Sequence, residues 1–286
     1  MKYAFFGSPE FASIILEKLI GAEMPPALLI CNPDRPVGRK KIVTPPPAKQ
    51  SVLEQDESIR ENVKILQPEK VTEIEEELKR GGYDLFIVAA YANIIPQRIL
   101  DIPRLGTIGV HPSLLPLFRG ATPIQSALLA GATETGVSLF VVDAKVDHGA
   151  VLAEEALDTL DVTTLTYHAL HDALAELGAS MLIRTLPNIE DAIKNAKPQD
   201  ESKATLTKKF TTEDGFIHED ELNEATSGVN SEKAREIDRK IRALGGGMGI
   251  YTILKDKRTK LLEAEVRNGT LVLKRIQEAG KTPKTL

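Results

Sequence analysis

The sequence predicts a doubly wound α/β domain on a mostly parallel sheet, followed by a smaller, barrel-like β domain. Three observations predict it. Residues 1–186 alternate short apolar runs with helical patterns. Residues 187–204 lose the large apolar side chains, and the remainder ends in strand-like segments around Asn268-Gly269. With 286 residues, 42% apolar and 27% charged, the chain has a folded protein's balance and the length for one large or two ordinary domains.

Tyr3–Phe6, Ala27–Cys31, Val63–Leu66, Leu85–Ala89, Thr107–His111 and Gly136–Val142 are short, apolar and rich in β-branched or aromatic residues, as buried parallel strands are. Between them, Pro9–Ile20 aligns Phe11, Ile14, Ile15 and Leu19 on one helical face, with Ser8 expected as N-cap and Pro9 at the first helical position. Thr122-Pro123 repeats this device before Ile124–Leu129, and Thr163–Leu186 reads as a long amphipathic helix. The polar stretch 187–204 reads as a linker, which makes 1–186 one domain and 205–286 another. In the second, Asn230–Leu244 places Ala234, Ile237, Ile241 and Leu244 on one face and Lys233, Arg235, Arg239, Lys240 and Arg242 on the others. Gly245-Gly246-Gly247 stops that helix, and Ile250–Leu254, Leu261–Val266 and Leu271–Ile276 follow as antiparallel strands.

Composition removes several function classes. A lone cysteine, Cys31, excludes a disulfide framework and any Cys-based zinc site, and suits a reducing compartment. No apolar run approaches ~18 residues. The opening residues read as a first strand, not a secretory signal, so a cytoplasmic protein with no membrane partner is expected. Phe6-Gly7-Ser8-Pro9 lacks the dinucleotide fingerprint, and no phosphate loop, zinc motif or nucleophile elbow is present. Residues 203–286 carry 17 Lys+Arg against 13 Asp+Glu and the rest 19 against 28, so a basic C-terminal third (+4) follows an acidic body (−9). Alone, that asymmetry is weak support for a nucleic-acid partner.

The densest segment runs from Gly109-Val110-His111-Pro112-Ser113 to Phe118-Arg119-Gly120. His111 closes an expected central strand, where an α/β sheet collects its ligands, and Pro112 holds it extended. Two prolines and a glycine then stiffen the loop that delivers Arg119. A second polar tip, Val142-Asp143-Ala144-Lys145-Val146-Asp147-His148-Gly149, has the composition of a simple hairpin turn. Its sharper reading brings Asp147 to His111 as a carboxylate-oriented acid/base pair.

His-Pro-Ser-Leu-Leu-Pro-x-x-Arg-Gly with a later Asp-x-Gly resembles the formyltransferases that use 10-formyltetrahydrofolate. Asn32-Pro33-Asp34-Arg35-Pro36-Val37-Gly38-Arg39-Lys40-Lys41 before Thr44-Pro45-Pro46-Pro47 narrows the resemblance to the members acting on methionyl-tRNA. So do Phe6-Gly7-Ser8-Pro9-Glu10-Phe11-Ala12, Ala204-Thr205-Leu206-Thr207-Lys208-Lys209 and Asp214-Gly215-Phe216-Ile217. The resemblance implies formyl transfer from 10-formyltetrahydrofolate to the amino group of methionine on initiator tRNA, by a metal-free and monomeric enzyme of translation initiation. It implies catalytic roles for His111 and Asp147. It places folate against Ala89, Tyr91, Ala92, Asn93, Ile94 and Ile95, and against Ser113, Leu114, Leu115 and Pro116. It places tRNA against Arg35, Arg39, Lys40, Lys41, Lys208 and Lys209, to which the basic helix adds Arg239 and Arg242.

Two departures touch that site. Gly109 stands where the family has an asparagine that donates to the developing oxyanion, a loss worth about 10²–10³ in rate. Ala92 stands where the family has glycine, and is strained if the position needs positive φ. Two other readings therefore stay open: a formyl-folate enzyme acting on another amine or on water, and a weakened homologue that still binds folate or tRNA.

Overall fold

A computed structural model describes residues 1–38 and 40–286. Its strands are β1 (Tyr3–Phe6), β2 (Leu28–Ile30), β3 (Arg35–Val37), β4 (Ile42–Thr44), β5 (Lys64–Leu66), β6 (Leu85–Val88), β7 (Thr107–His111), β8 (Gly136–Val141) and β9 (Val151–Ala156). Later in the chain come β10 (Ile250–Leu254), β11 (Lys257–Arg267), β12 (Thr270–Glu278) and β13 (Lys284–Thr285).

Seven strands form one sheet in the order β5-β2-β1-β6-β7-β8-β9. Pairing is parallel from β5 through β7, then reverses: β8 is antiparallel to β7, and β9 to β8. Phe5, Phe6, Leu28, Leu29, Ile30, Leu85, Phe86 and Ile87 are fully buried, so β1, β2 and β6 are apolar on both faces, as the sequence predicted. Cys31 follows β2 in the same interior, where burial pushes its thiol up to about 12 and makes it inert. Strand β9 was not expected: Val151-Leu152-Ala153-Glu154-Glu155-Ala156 is a half-exposed edge, and its acidic pair masks the apolar pattern.

Helix Glu10–Gly21 buries Phe11, Ile15, Leu16 and Leu19. Its N-cap is Pro9 rather than Ser8, and no side chain caps it. The Ser8 hydroxyl instead accepts from the Asn32 backbone N–H at 2.9 Å, tying the first strand–helix turn to the chain leaving β2. The expected long helix spans Tyr167–Thr185, with single 3₁₀ turns before and after it. Segment 187–204 is more than a linker. It contains helix Ile189–Lys194, and Lys197 exchanges two backbone bonds with Val151 on the sheet edge, at 2.8 and 2.9 Å.

Packing divides the chain into Met1–Arg119, Gly136–Leu157 and His171–Leu206 as one unit, and Gly120–Thr135, Asp158–Leu170 and Thr207–Leu286 as the other. The boundary read from the sequence does not coincide with this division. In the second unit, helix Pro123–Ala130 packs against helix Ser231–Leu244. Arg239 of that helix lies beside Gly131, and Thr122 donates its hydroxyl to Lys208 O at 2.6 Å. Asn230 caps helix Ser231–Leu244 by accepting from Lys233 N, and Ala234, Ile237, Ile241 and Leu244 are its buried face. The sheet of this unit is antiparallel, in the order β10-β11-β12-β13. Asn268 and Gly269, with φ of 49° and 79°, turn β11 into β12 in the positive-φ pair a tight hairpin needs.

Removing residues 205–286 leaves helix Pro123–Ala130 without its packing partner, and removes the bonds Thr205 makes to Phe118 and Arg119. A 1–204 fragment is therefore expected to unfold at lower urea concentration than the full chain, with reduced cooperativity. An undiminished midpoint and m-value for the fragment would return the boundary to 187–204.

Candidate active site

His111 ends β7, 5% exposed, and both ring nitrogens face acceptors. Nε2 donates to the Phe118 carbonyl at 3.0 Å, and Nδ1 lies 3.5 Å from Asp147 Oδ2. The two sequence-predicted residues are thus together. They meet by different routes. Phe118 comes from the loop that follows β7, whereas the loop bearing Asp147 starts beside the other end of that strand, where Val142 N donates to Thr107 O at 2.8 Å. Four residues of β7 span about 13 Å, so this second loop must fold back along the strand. Gly149 permits the return, because a Cβ there would sit 1.7 Å from the Val141 carbonyl oxygen. Asp147 (φ 48°) and Phe118 (φ 58°) both occupy the left-handed region that non-glycine residues disfavour.

Arg119 is 5% exposed, and its guanidinium bonds Gln199 Oε1 and the Glu201 carboxylate, the shortest distances being 2.7 and 2.6 Å. The bond to Glu201 raises the Arg119 pKa and lowers that of Glu201, so both stay charged. Gln199 Nε2 donates to the carbonyls of Asp147 and Gly149 at 2.9 and 2.8 Å. Nothing in the sequence marked Gln199 or Glu201, which lie in the stretch read as a linker. His148 bonds Asp143 at 2.7 Å, a contact inside the same loop.

Gly109 faces Phe140 directly across the antiparallel pair β7–β8. A Cβ at position 109 would lie 2.4 Å from Phe140 Cε1 and 2.6 Å from Cζ. The ring fills the space a side chain at 109 needs, and stands edge-on to His111 with centroids 6.4 Å apart. Sequence reading could not see this pairing, because it depends on the reversal at β8.

The two loops expected to hold folate leave adjacent parallel strands. After β6, Ala89 is buried, Tyr91 and Ile95 are half-buried, and Ile94 is 91% exposed. Asn93 turns its amide toward Asn32 Oδ1 and the Tyr91 hydroxyl. The strained residue is Ala90 (φ 49°) and not Ala92, which has ordinary negative φ, so the expected penalty falls two residues earlier. After β7, Ser113 is buried and donates to Leu117 O, Leu115 N donates to Ser138 Oγ, Leu114 packs beside Gly136, and Pro116 O accepts from Thr205 N.

The segment expected to meet tRNA forms the β3–β4 hairpin. Arg39 lies outside the described residues. Arg35 pairs with Glu69, whereas Lys40 and Lys41 are exposed beside exposed Val37, Ile42 and Val43. Lys49 anchors the hairpin base to both oxygens of Asp34 at 2.9 Å, and together with Gln67 it holds the Asp34 carboxyl below its usual pKa. In the other unit, Lys208 pairs with Asp214 and Lys209 is exposed. Arg242 and Arg239 depart from expectation. Arg242 spends its donors on Asp238 and the Leu165 carbonyl, and Arg239 pairs with Glu232 beside Gly131, because amphipathic packing turns these positions inward.

Residues 1–186 match the formyl transferase family, and residues 230–284 match the formyl transferase C-terminal domain. The chain belongs to the formyltransferase family. Among formyltransferases, the methionyl-tRNA formyltransferase of Staphylococcus aureus (strain MW2) is 34% identical over 267 residues, 93% of this chain and 79% of that one. The N-formyltransferase of Helicobacter canadensis, solved with folinic acid and dTDP-3-aminofucose, shares the fold at a TM-score of 0.63 and 16% identity, over 94% of this chain and 88% of that one. A 4-N formyltransferase from Francisella tularensis matches at a TM-score of 0.63 and 15% identity, over 89% and 93%. Among the described residues of this formyltransferase, no helix is long and apolar enough to cross a membrane, and no three His, Cys, Asp or Glu side chains group to hold a metal ion.

Gly109→Asn is expected to destabilise the protein by about 1–3 kcal/mol, since the new side chain must displace a buried ring. Adding Phe140→Ala should return part of that loss, and urea unfolding of the two single variants and the double variant measures the coupling. Strictly additive changes would show that the ring and position 109 do not compete.

Proposed function

We propose that this chain transfers the formyl group of 10-formyltetrahydrofolate to the α-amine of methionine on initiator tRNA. The observation that carries the reading is His111 at the end of the central strand, with Nδ1 on Asp147 and Nε2 on a loop carbonyl. As the neutral amine forms its bond to the formyl carbon, it gives up one proton, and the folate nitrogen that leaves takes one up. On this reading His111 carries that proton, with Nε2 exchanging the Phe118 carbonyl for the reacting nitrogen, and Asp147 orients the imidazole. Exposed Ile94 with half-buried Tyr91 and Ile95 offers an apolar shelf that suits a pterin ring.

The choice of acceptor rests on the relative acting on methionyl-tRNA, whose likeness spans 93% of the chain, and on the hairpin. Val37, Ile42 and Val43, each more than half exposed, stand beside Lys40 and Lys41 on two three-residue strands. A hairpin this short is not stable by itself, and exposed apolar and basic residues together suit an RNA end. Lys208 and Lys209 are the remaining candidates for binding phosphate. The proposed assembly is a monomer. On this reading the reaction belongs to translation initiation in the cytoplasm.

One observation favours a second reading, a slow homologue that binds folate and tRNA. With Phe140 over Gly109, position 109 offers no side-chain amide to receive an oxyanion. Turnover of the unmodified chain separates the two readings.

In a radiolabelled formyl-transfer assay on charged initiator tRNA, His111→Ala and Asp147→Ala should each lower turnover, and the double variant should lose little more than His111→Ala alone. Losses that multiply would mean that the two side chains act independently. Lys40→Ala/Lys41→Ala should weaken tRNA binding and flatten its salt dependence by roughly 0.7–0.9 in log–log slope for each phosphate no longer neutralised, leaving folate affinity unchanged. An unaltered slope removes the hairpin from the interface.

A further inference from the structure

Two loops from opposite ends of β7 must meet at one imidazole, and each holds a residue whose backbone conformation is unfavourable. Phe118 and Asp147, the residues that touch the two nitrogens of His111, are the ones with positive φ. Neither conformation persists unless its surroundings impose it.

The imposing group is a third segment. Gln199 accepts from Arg119 Nε and Nη2 through its carbonyl oxygen, at 3.0 and 2.7 Å, and donates through its amide nitrogen to Asp147 O and Gly149 O. Arg119 directly follows Phe118, so the two faces of one amide group hold both loops. The orientation of that amide is fixed by chemistry, since a guanidinium can only donate and a carbonyl can only accept. The four bonds saturate the amide. Glu201 takes the other edge of Arg119, while Thr205 holds Arg119 N and Phe118 N through its carbonyl and hydroxyl, at 2.9 and 2.7 Å.

We infer that Gln199, locked by Arg119, is a positioning residue that sets the spacing between Asp147 and His111. The inference rests on the reading of His111 and Asp147 as the proton-handling pair. The four bonds of Gln199 go to the Arg119 guanidinium and to two backbone carbonyls. It grips the backbone at Asp147 and the segment beside Phe118, so it acts on the distance between two loops.

The test is steady-state formyl transfer by the full chain, with Gln199→Glu and Gln199→Met, each also combined with Asp147→Asn. Gln199→Glu keeps an acceptor for Arg119, removes the two donors and sets a carboxylate oxygen against the carbonyls of Asp147 and Gly149. Gln199→Met removes both. Each is expected to lower kcat by about 10²-fold, the scale of an ångström-sized misplacement, with KM for tRNA and for folate unchanged. In the Asp147→Asn background the same substitutions should cost nothing further. An unchanged kcat in a folded variant overturns the inference, and so does a loss that multiplies with that of Asp147→Asn, the behaviour of a general anchor. Should Gln199→Met fail to fold, Gln199→Glu, which retains the buried arginine's partner, decides alone. If Asp147→Asn itself leaves kcat intact, the proton-pair reading fails, whatever Gln199 does.

Discussion

The reversal of strand direction between β7 and β8 constrains everything around His111. A parallel β8 would have begun beside the start of β7 and sent its following loop to the end that holds His111, so that Asp147 arrived directly. Because β8 is antiparallel, that loop departs beside Thr107 and has to double back. The doubling back requires a glycine at 149 and an unfavourable backbone at Asp147, and it needs a hold from outside the sheet. The same reversal places Phe140 opposite Gly109. One topological choice thus decides how the carboxylate reaches the imidazole and what fills the space beside it.

The proposed proton-handling pair and the proposed tRNA-facing hairpin follow different rules in this chain. His111 and Arg119 are buried, and the groups around them are mutually bonded and held from several directions, which suits proton movement at a fixed distance. The hairpin is the opposite case, anchored at its base by Lys49 and Asp34 while Val37, Lys40, Lys41, Ile42 and Val43 face solvent. Recognition of a polyanion gains little from rigidity, since charge acts over a Debye length of about 8–10 Å. The basic helix Ser231–Leu244 mixes both uses. Arg239 and Arg242 serve its packing, so the basic count of the C-terminal third overstates the charge available to a partner.

Local pattern carried much of the architecture. The strands of the parallel sheet, the amphipathic face of Ser231–Leu244 and the turn at Asn268-Gly269 follow from periodicity and turn chemistry within a few residues. His111 was visible because proline, glycine and arginine crowd one strand end. Asp147 was visible as the carboxylate of the next polar tip. What stayed hidden is long-range. Gln199 acts 50 residues or more from its partners, in a stretch whose polar composition resembles a linker. Phe140 is an ordinary apolar strand residue until the register sets it against a glycine. The exchange of Ser8 for Pro9 as cap, and of Ala92 for Ala90 as the strained position, came from side-chain and backbone conformations that residue type does not encode. The division into units was hidden for the same reason, since helix Pro123–Ala130 shows no sign in its own sequence of the helix it packs on.

That division has a temporal side. Helix Pro123–Ala130 is synthesised about 100 residues before Ser231. At synthesis rates of about 5–20 residues per second, this is a wait of roughly 5–20 s. Throughout that interval Ile124, Ala127 and Leu128, which the finished protein buries, lack helix Ser231–Leu244 to pack on. The nascent chain therefore carries an adhesive surface until helix Ser231–Leu244 is made and covers it.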